Sequence, residues 1–443
     1  REEEMNEITL EQLAAFAGEY EQDKLARVAR NALLKADITD VAQVMDAQSA
    51  MKPHFSIDIK TMPALSQGRS GRCWIFAGLN VFREIAGKKL NTEVFELSQN
   101  YTAFYDKLEK INFFMESVME LADHEWDERT LWWVLRNGVS DGGQWEMLTA
   151  LIRKYGMVPA EVMPDSFQAR GTRTMNKLIN RRLRRFTKDI KEVYPDQAKI
   201  SQLKDECLQE CYNVLCTCFG VPPQTFSFEY VDKNGEYHYE EGLTPKSFYD
   251  KYIGEDLDDY VSIINSPTTD KPYYNMFTVK YLGSVVNNPI RHLNLPLDEM
   301  KNAILSQLKD KEVVWFGSDC GNYGNRDLGI WDKACYDYSS LFGVDFDMDK
   351  EYALYAGESA MNHAMVLTGV NLINDKPTKW KIENSWGADC ANKGYFTCSD
   401  EWFDQYVFQA VVHKKYLSEK ALAALDKPLI ELEPWDPMGT LAD

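Results

Sequence analysis

The chain reads as an α+β protein in which a helix and an antiparallel sheet face each other across a cleft. Three observations predict this. A small-residue turn, Ser70-Gly71-Arg72, leads into an apolar helical run that opens at Cys73 and continues through Trp74, Ile75, Phe76, Ala77 and Leu79. Far downstream, residues 313–317, 365–370, 378–383 and 394–398 look like strands of an antiparallel sheet. His363 lies in that same downstream half, so a histidine-bearing sheet would face the Cys73 helix across the cleft.

In chain order, residues 10–20 and 23–34 read as helices of an N-terminal extension, 1–61, which ends in an extended approach through Pro53 and Pro63. Residues 62–164 form a first half, with the Cys73 helix, an acidic and aromatic stretch from 101 to 133, and the pair Gly142-Gly143. Residues 165–293 read as a large helical insertion with its own core. It carries a basic helix, a cysteine-bearing helix, an extended piece at 225–239 and a polar loop at 266–271. Residues 294–428 form the second half, with the sheet, and 429–443 a proline-punctuated arm with Trp435 and Met438 as apolar anchors.

The chemistry of the singled-out residues is coherent. A thiol is a weak nucleophile until it ionises, and a helix N-terminus with an adjacent imidazole promotes ionisation. Cys73 opening a helix meets the first condition, and His363 folded beside it meets the second. His363 would take the thiol proton and return it to a leaving amine. Asn384 can hold the far ring nitrogen, and Trp386 can shield that bond from water. Gln67, six residues before Cys73, can donate its amide N–H to an oxyanion together with the Cys73 backbone N–H.

On these motifs the chain resembles the bleomycin hydrolase and bacterial aminopeptidase C family, a cytosolic branch of the papain-like cysteine peptidases. The stretches that carry the resemblance are Gln67-Gly68-Arg69-Ser70-Gly71-Arg72-Cys73-Trp74, Asn362-His363-Ala364-Met365, Glu383-Asn384-Ser385-Trp386-Gly387 and Pro434-Trp435-Asp436-Pro437-Met438-Gly439. The resemblance implies catalytic roles for Cys73, His363 and Asn384 and an oxyanion role for Gln67. It also implies that Gly142 and Gly143 hydrogen-bond substrate backbone as an added strand, and that Glu96 to Tyr101 starts the next helix. The spacing of 290 residues from Cys73 to His363 exceeds the roughly 130–150 of the papain signature by about 150, so an insertion must sit between them, most simply at 165–293.

The same resemblance implies an aminopeptidase whose C-terminal arm lies in the cleft, its terminal carboxylate meeting the free ammonium of a peptide substrate. Such arms can be trimmed after the leucine-alanine pair, so either Ala442 or Asp443 would supply the carboxylate. It further implies a homohexamer with the insertion making contacts. Ser70 and Ser140 stand where secreted relatives carry a disulfide, in keeping with a reducing compartment. The competing readings are an endopeptidase or peptide-amide hydrolase, if the arm is disordered, and a catalytically idle peptide- or nucleic-acid-binding scaffold.

Composition bounds these readings. Of 443 residues, 44% are hydrophobic and 12% aromatic, enough for an ordinary core. The net charge of −20 disfavours nucleic acid and anionic membranes as partners. The locally basic stretch with Arg181, Arg182, Arg184, Arg185 and Lys188 reads as an amphipathic helix paired with acidic surfaces. Cys207, Cys211, Cys216 and Cys218 read as core packing rather than metal ligands. No metal or cofactor is called for, and without a signal peptide or long apolar run the expected location is the cytoplasm. Met5 reads as a natural start, with the preceding residues an extension.

Overall fold

A computed structural model describes residues 6–442 of the chain. The N-terminal helices α1 (Leu10–Gln22) and α2 (Lys24–Leu33) form as expected. Thr9 and Gln12 close a capping box at the start of α1, and Asp23 caps α2 through the Leu25 and Ala26 N–H groups. Neither helix buries a residue.

Helix α3 (Cys73–Leu90) is the centre of the molecule. Its sequence is apolar on nearly every side, and nearly every residue is buried, as such a pattern requires. It ends at Asn91, whose left-handed backbone (φ 52°) closes the last turn, with Lys88 and Lys89 beside the negative helix end. Helix α4 (Gln99–Glu120) is capped by Ser98 and starts close to where Glu96 to Tyr101 suggested. Helix α5 (Trp145–Tyr155) lies so close to α3 that a Cβ on Gly78 would stand 2.0 Å from Leu148 Cδ2. Only glycine allows that approach.

The span 165–293 divides between two places. Helices α6 (Arg173–Val193) and α7 (Gln197–Phe219) pack on α4, and Ile179, Leu183 and Phe186 share one core cluster with Phe104, Phe114 and Val118. Cys207 and Cys211 are buried in that cluster, with Cys216 and Cys218 at its edge. The extended piece forms a separate hairpin of Phe226–Val231 and Tyr237–Leu243. Strands β1 (Tyr260–Ile264), β2 (Asn275–Val279) and β3 (His292–Asn294) instead join the main sheet. β1 is buried along its whole length, the burial of a strand covered on both faces rather than of an appended lobe.

The sheet continues with β4 (Val314–Ser318), β5 (His363–Ile373), β6 (Lys376–Glu383), β7 (Tyr395–Ser399), β8 (Val407–His413) and β9 (Leu429–Leu432). Across it the order is β9-β2-β3-β1-β8-β4-β5-β6-β7. β5 is antiparallel to both neighbours, with His363 opposite Ser318 of β4 and Val366 opposite Glu383 of β6. Asn374 and Asp375, both at positive φ, make the tight turn that joins β5 to β6. Helix α3 packs against β5, and the Trp315 indole on β4 donates to the Trp74 carbonyl at 3.2 Å. This contact seats the first turn of α3 beside the strand pair that carries His363.

Candidate active site

Cys73 occupies the first position of α3 and is fully buried, in the same core cluster as Trp315 and Ala364. No side chain caps this helix start. His363 opens β5 and Asn384 follows β6, and the two meet directly: His363 Nε2 lies 2.8 Å from Asn384 Oδ1. The same oxygen accepts the Ser385 N–H at 2.8 Å. An atom that takes a backbone donor is the amide oxygen, so His363 Nε2 carries the proton and Nδ1 is the basic nitrogen. The Trp386 ring stacks on the imidazole with centroids 5.1 Å apart, and Arg326 lies over the other ring system at 5.0 Å. Burial lowers the His363 pKa to about 4 against the opposing Asn384 hydrogen bond, so the neutral imidazole prevails near pH 7.

Gln67 is tied to the same corner. Its N–H donates to the Ser385 carbonyl at 2.9 Å, and the Ser385 hydroxyl donates to Gln67 Oε1 at 2.5 Å. Gln67 Nε2 then donates one hydrogen to the Ser70 carbonyl at 2.6 Å. Ser66 bridges Trp386, and the Gly387 N–H reaches the Leu65 carbonyl. The segment before Cys73 is thus stitched to the segment after Asn384.

Beneath this corner lies a buried ionic contact. Arg83 Nη2 and Asn80 Nδ2, both on α3, each donate to Glu383 Oε1 at 2.8 Å. Burial raises the Glu383 pKa to about 7 against the pull of Arg83. Glu383 immediately precedes Asn384, so the contact joins α3 to the end of β6.

The glycine pair rests on a second ionic platform. Lys107 Nζ contacts Asp141 Oδ1 at 2.7 Å, and Lys110 Nζ donates to the Gly142 carbonyl at 2.6 Å. Burial alone would raise Asp141, but Lys107, Thr172 and Asn176 outweigh it and hold the carboxyl well below its usual range. Burial lowers the Lys110 pKa, with Asp106 opposing. The Trp74 indole donates to the Asp141 carbonyl at 2.7 Å, and a Cβ on Gly143 would stand 2.3 Å from the Trp74 ring. Glycine at 143 is therefore demanded from below as well as by the cleft.

The edge above Gly143 is occupied by the chain's own arm. The Gly143 N–H donates to the Ala442 carbonyl at 3.1 Å, and the Ala442 N–H returns to the Gly143 carbonyl at 3.4 Å. Gln144 Nε2 donates to the Thr440 carbonyl at 2.7 Å. Ala442 is fully buried, and Met438 is buried in the same core cluster. Asp443 lies outside the described residues. A cavity of about 620 Å³ opens beside the arm, lined by Ser140, Met361, Asn362, Trp435 and Leu441 among others. Another, of about 570 Å³, surrounds the C-terminal half of α3 and contains none of the site residues.

The structure thus joins Gln67, His363, Asn384 and Trp386 by direct contacts, sets Cys73 at the start of α3 six residues after Gln67, in one core cluster with Ala364, and places Gly143 against Ala442. Sequence reasoning missed Arg83, Asn80, Lys107 and Lys110, which nothing in a single sequence marks as buried. Glu383 and Asp141 stood inside quoted motifs, where a charged residue next to a site residue was a usable signal. Among the described residues, the one group of His, Cys, Asp and Glu within mutual ligand reach is Asp232, Glu236 and His238 on the hairpin, remote in sequence from the site. The described cysteines form no disulfide.

Comparison with known proteins agrees with this geometry. The sequence profile of the Peptidase C1-like family matches residues 7–439. Aminopeptidase C of Lactobacillus delbrueckii subsp. lactis is 44% identical over 98% of this chain and 99% of its own length. Human bleomycin hydrolase is 37% identical over the same shares. The crystal structure of pepw from Lactobacillus rhamnosis HN001 superposes with a TM-score of 0.96 at 45% identity, over 98% of this chain and 99% of that one.

Proposed function

From the premise that this chain belongs to the Peptidase C1-like family, with a papain-like fold, and is a cysteine aminopeptidase, we propose that it releases N-terminal residues from short peptides through an acyl-enzyme on Cys73. Neutral His363 takes the Cys73 proton on Nδ1, and the thiolate attacks the carbonyl carbon of the first peptide bond. The oxyanion is met by the second Gln67 Nε2–H, whose amide Ser385 and Ser70 hold in orientation, and by the Cys73 N–H. His363 hands its proton to the departing amine. A water, deprotonated by the same Nδ1, then hydrolyses the thioester, and the free amino acid leaves with the thiol restored. Asn384 keeps the imidazole in the tautomer that makes Nδ1 the base.

One observation carries the choice of exopeptidase: the chain's own Ala442 takes the strand edge of Gly143. A longer substrate needs that edge for the residues preceding the scissile bond. With the edge filled, only a substrate that begins near Cys73 fits, and the carboxylate that ends the arm favours a charged amine over a blocked one. The same reading makes the enzyme a cytoplasmic homohexamer. The assembly is supported by the uncovered apolar side chains Leu10, Phe16 and Val28 on α1 and α2.

The test compares thiol-dependent hydrolysis of a free-amine aminoacyl fluorogenic amide with that of its N-acetylated twin. Fast cleavage of the free amine alone is expected. Equal cleavage of both would retain the peptidase and remove the carboxylate gate.

A further inference from the structure

The arm tip has few hydrogen bonds for a segment that would decide specificity. Its main-chain pairing with Gly143 consists of two bonds, 3.1 and 3.4 Å long. Beyond these bonds the tip has the buried Ala442 side chain and the Gln144 bond to Thr440, so its hold on Gly143 also depends on anchoring of the chain just upstream, because a short tether sets the effective concentration of the tip at its site.

The upstream anchor has an unusual composition. Asp436 Oδ2 lies 2.8 Å from Lys271 Nζ, and the lysine side chain is only 3% exposed. Lys271 also contacts Asp270 at 2.8 Å. It ends the polar loop 266–271, both ends of which are held by one fully buried amide. Asn294 Oδ1 accepts the Ser266 N–H at 2.9 Å, and Asn294 Nδ2 donates to the Ser266 and Lys271 carbonyls at 2.9 and 2.7 Å. The loop thus presents a fixed, desolvated cation to one residue of the arm. The neighbouring residue is gripped separately: the Arg129 guanidinium lies 3.7 Å from the Trp435 ring centroid, and Trp133 meets that ring edge-on.

Resting on the arm-gate reading above, we propose that Lys271 is a specificity-determining positioning residue, which pins the arm at Asp436 and so holds its tip on Gly143. It touches neither substrate nor the reacting atoms. A buried cation with a paired carboxylate is a strong, directional contact, and it fails abruptly when one partner loses its charge. Loss of the pin should therefore release the gate without touching Cys73.

Asp436→Asn is the decisive variant. Asp436 Oδ1 also accepts the Met438 N–H at 2.8 Å, a cap that asparagine preserves. Lys271 keeps Asp270, so no buried charge is left without a partner. The readout is kcat/KM for the free-amine amide divided by that for its N-acetylated twin, with kcat and KM resolved. In Asp436→Asn this ratio should fall at least tenfold, with the free-amine KM raised and kcat changed less than KM. Asp270→Asn, which removes the other carboxylate and leaves the arm untouched, should keep the wild-type ratio. A chain ending at Thr440 should lose the ratio altogether. A wild-type ratio in Asp436→Asn overturns the pin. An equal fall in Asp270→Asn also overturns it, since the loop rather than its grip on the arm would then be responsible. If the truncated chain keeps rejecting the acetylated substrate, the arm is not the gate and both readings fall.

Discussion

Two regions meet in the cleft and are held there by different kinds of bond. The catalytic floor hangs on buried charge. Arg83 and Asn80 grip Glu383 one residue before Asn384, Lys107 and Lys110 grip the loop of Asp141 and Gly142, and Gln67 is locked to Ser385. The arm tip touches the same floor through two long main-chain bonds and one side-chain amide. On the proposed reading, geometry that chemistry needs to within fractions of an ångström is over-determined, whereas the segment that would select substrates is tethered from a distance. Changes to the floor should therefore cost turnover or stability, and changes to the arm should cost discrimination.

The largest effect is expected at Cys73. Cys73→Ala should lower kcat by about 10⁴-fold or more, to background, because no other group of the site can form the thioester. Its thermal unfolding should stay near wild type, since alanine is tolerated where Ala77 and Ala86 already pack. Substantial residual turnover would remove Cys73 from the mechanism and leave the floor as a binding surface.

A smaller effect, on stability, is expected under the floor. Arg83→Met strips Glu383 of its buried cation and should cost about 3–5 kcal/mol in denaturant unfolding at pH 8. The penalty should shrink at pH 5, where Glu383 can escape by protonation. The sign follows from its pKa, raised from 4.5 to about 7 by burial. The folded chain holds a proton that the unfolded chain gives up. That contribution to stability is fully present below about pH 4.5 and is lost as the pH rises through about 7. Glu383→Gln should delete this slope, so the stability gap between it and the wild type should change across pH 4.5–7 and flatten on either side. A constant gap would mean that Glu383 titrates alike in the folded and unfolded chain.

The sequence made the candidate site residues legible and left their supports hidden, for physical reasons. Cys73, His363, Asn384 and Gln67 announce themselves because each needs a local signature: a small-residue turn, a strand end, an asparagine followed by an aromatic. Their mutual contacts follow from two elements, α3 and the β5–β6 pair, whose periodicity is strong. Lys107, Lys110 and Lys271 give no such signal, since a lysine in a helix or loop normally reads as solvent-facing. The span 165–293 also misleads, because spacing reveals that residues have been added but not which core they join. β1 enters the main sheet while α6 and α7 enlarge the helical wall on α4.

The finest test of the contrast lies at Gln144, which belongs to both regions. It precedes α5 without capping it through its side chain, and its Nε2 reaches up to the Thr440 carbonyl at 2.7 Å. Its Oε1 is buried without a partner. Gln144→Ala therefore deletes one neutral hydrogen bond to the arm, on the order of 0.5–1.5 kcal/mol, and at the same time removes a buried oxygen that nothing satisfies. The two terms oppose each other in the stability of the fold, which should barely move. They do not oppose each other in the gate, where only the lost bond counts. Discrimination between free and acetylated amides should fall about two- to tenfold, less than for Asp436→Asn. If Gln144→Ala weakens discrimination more than Asp436→Asn does, the arm is held at its tip rather than at its root, and the contrast between a pinned root and a lightly held tip reverses.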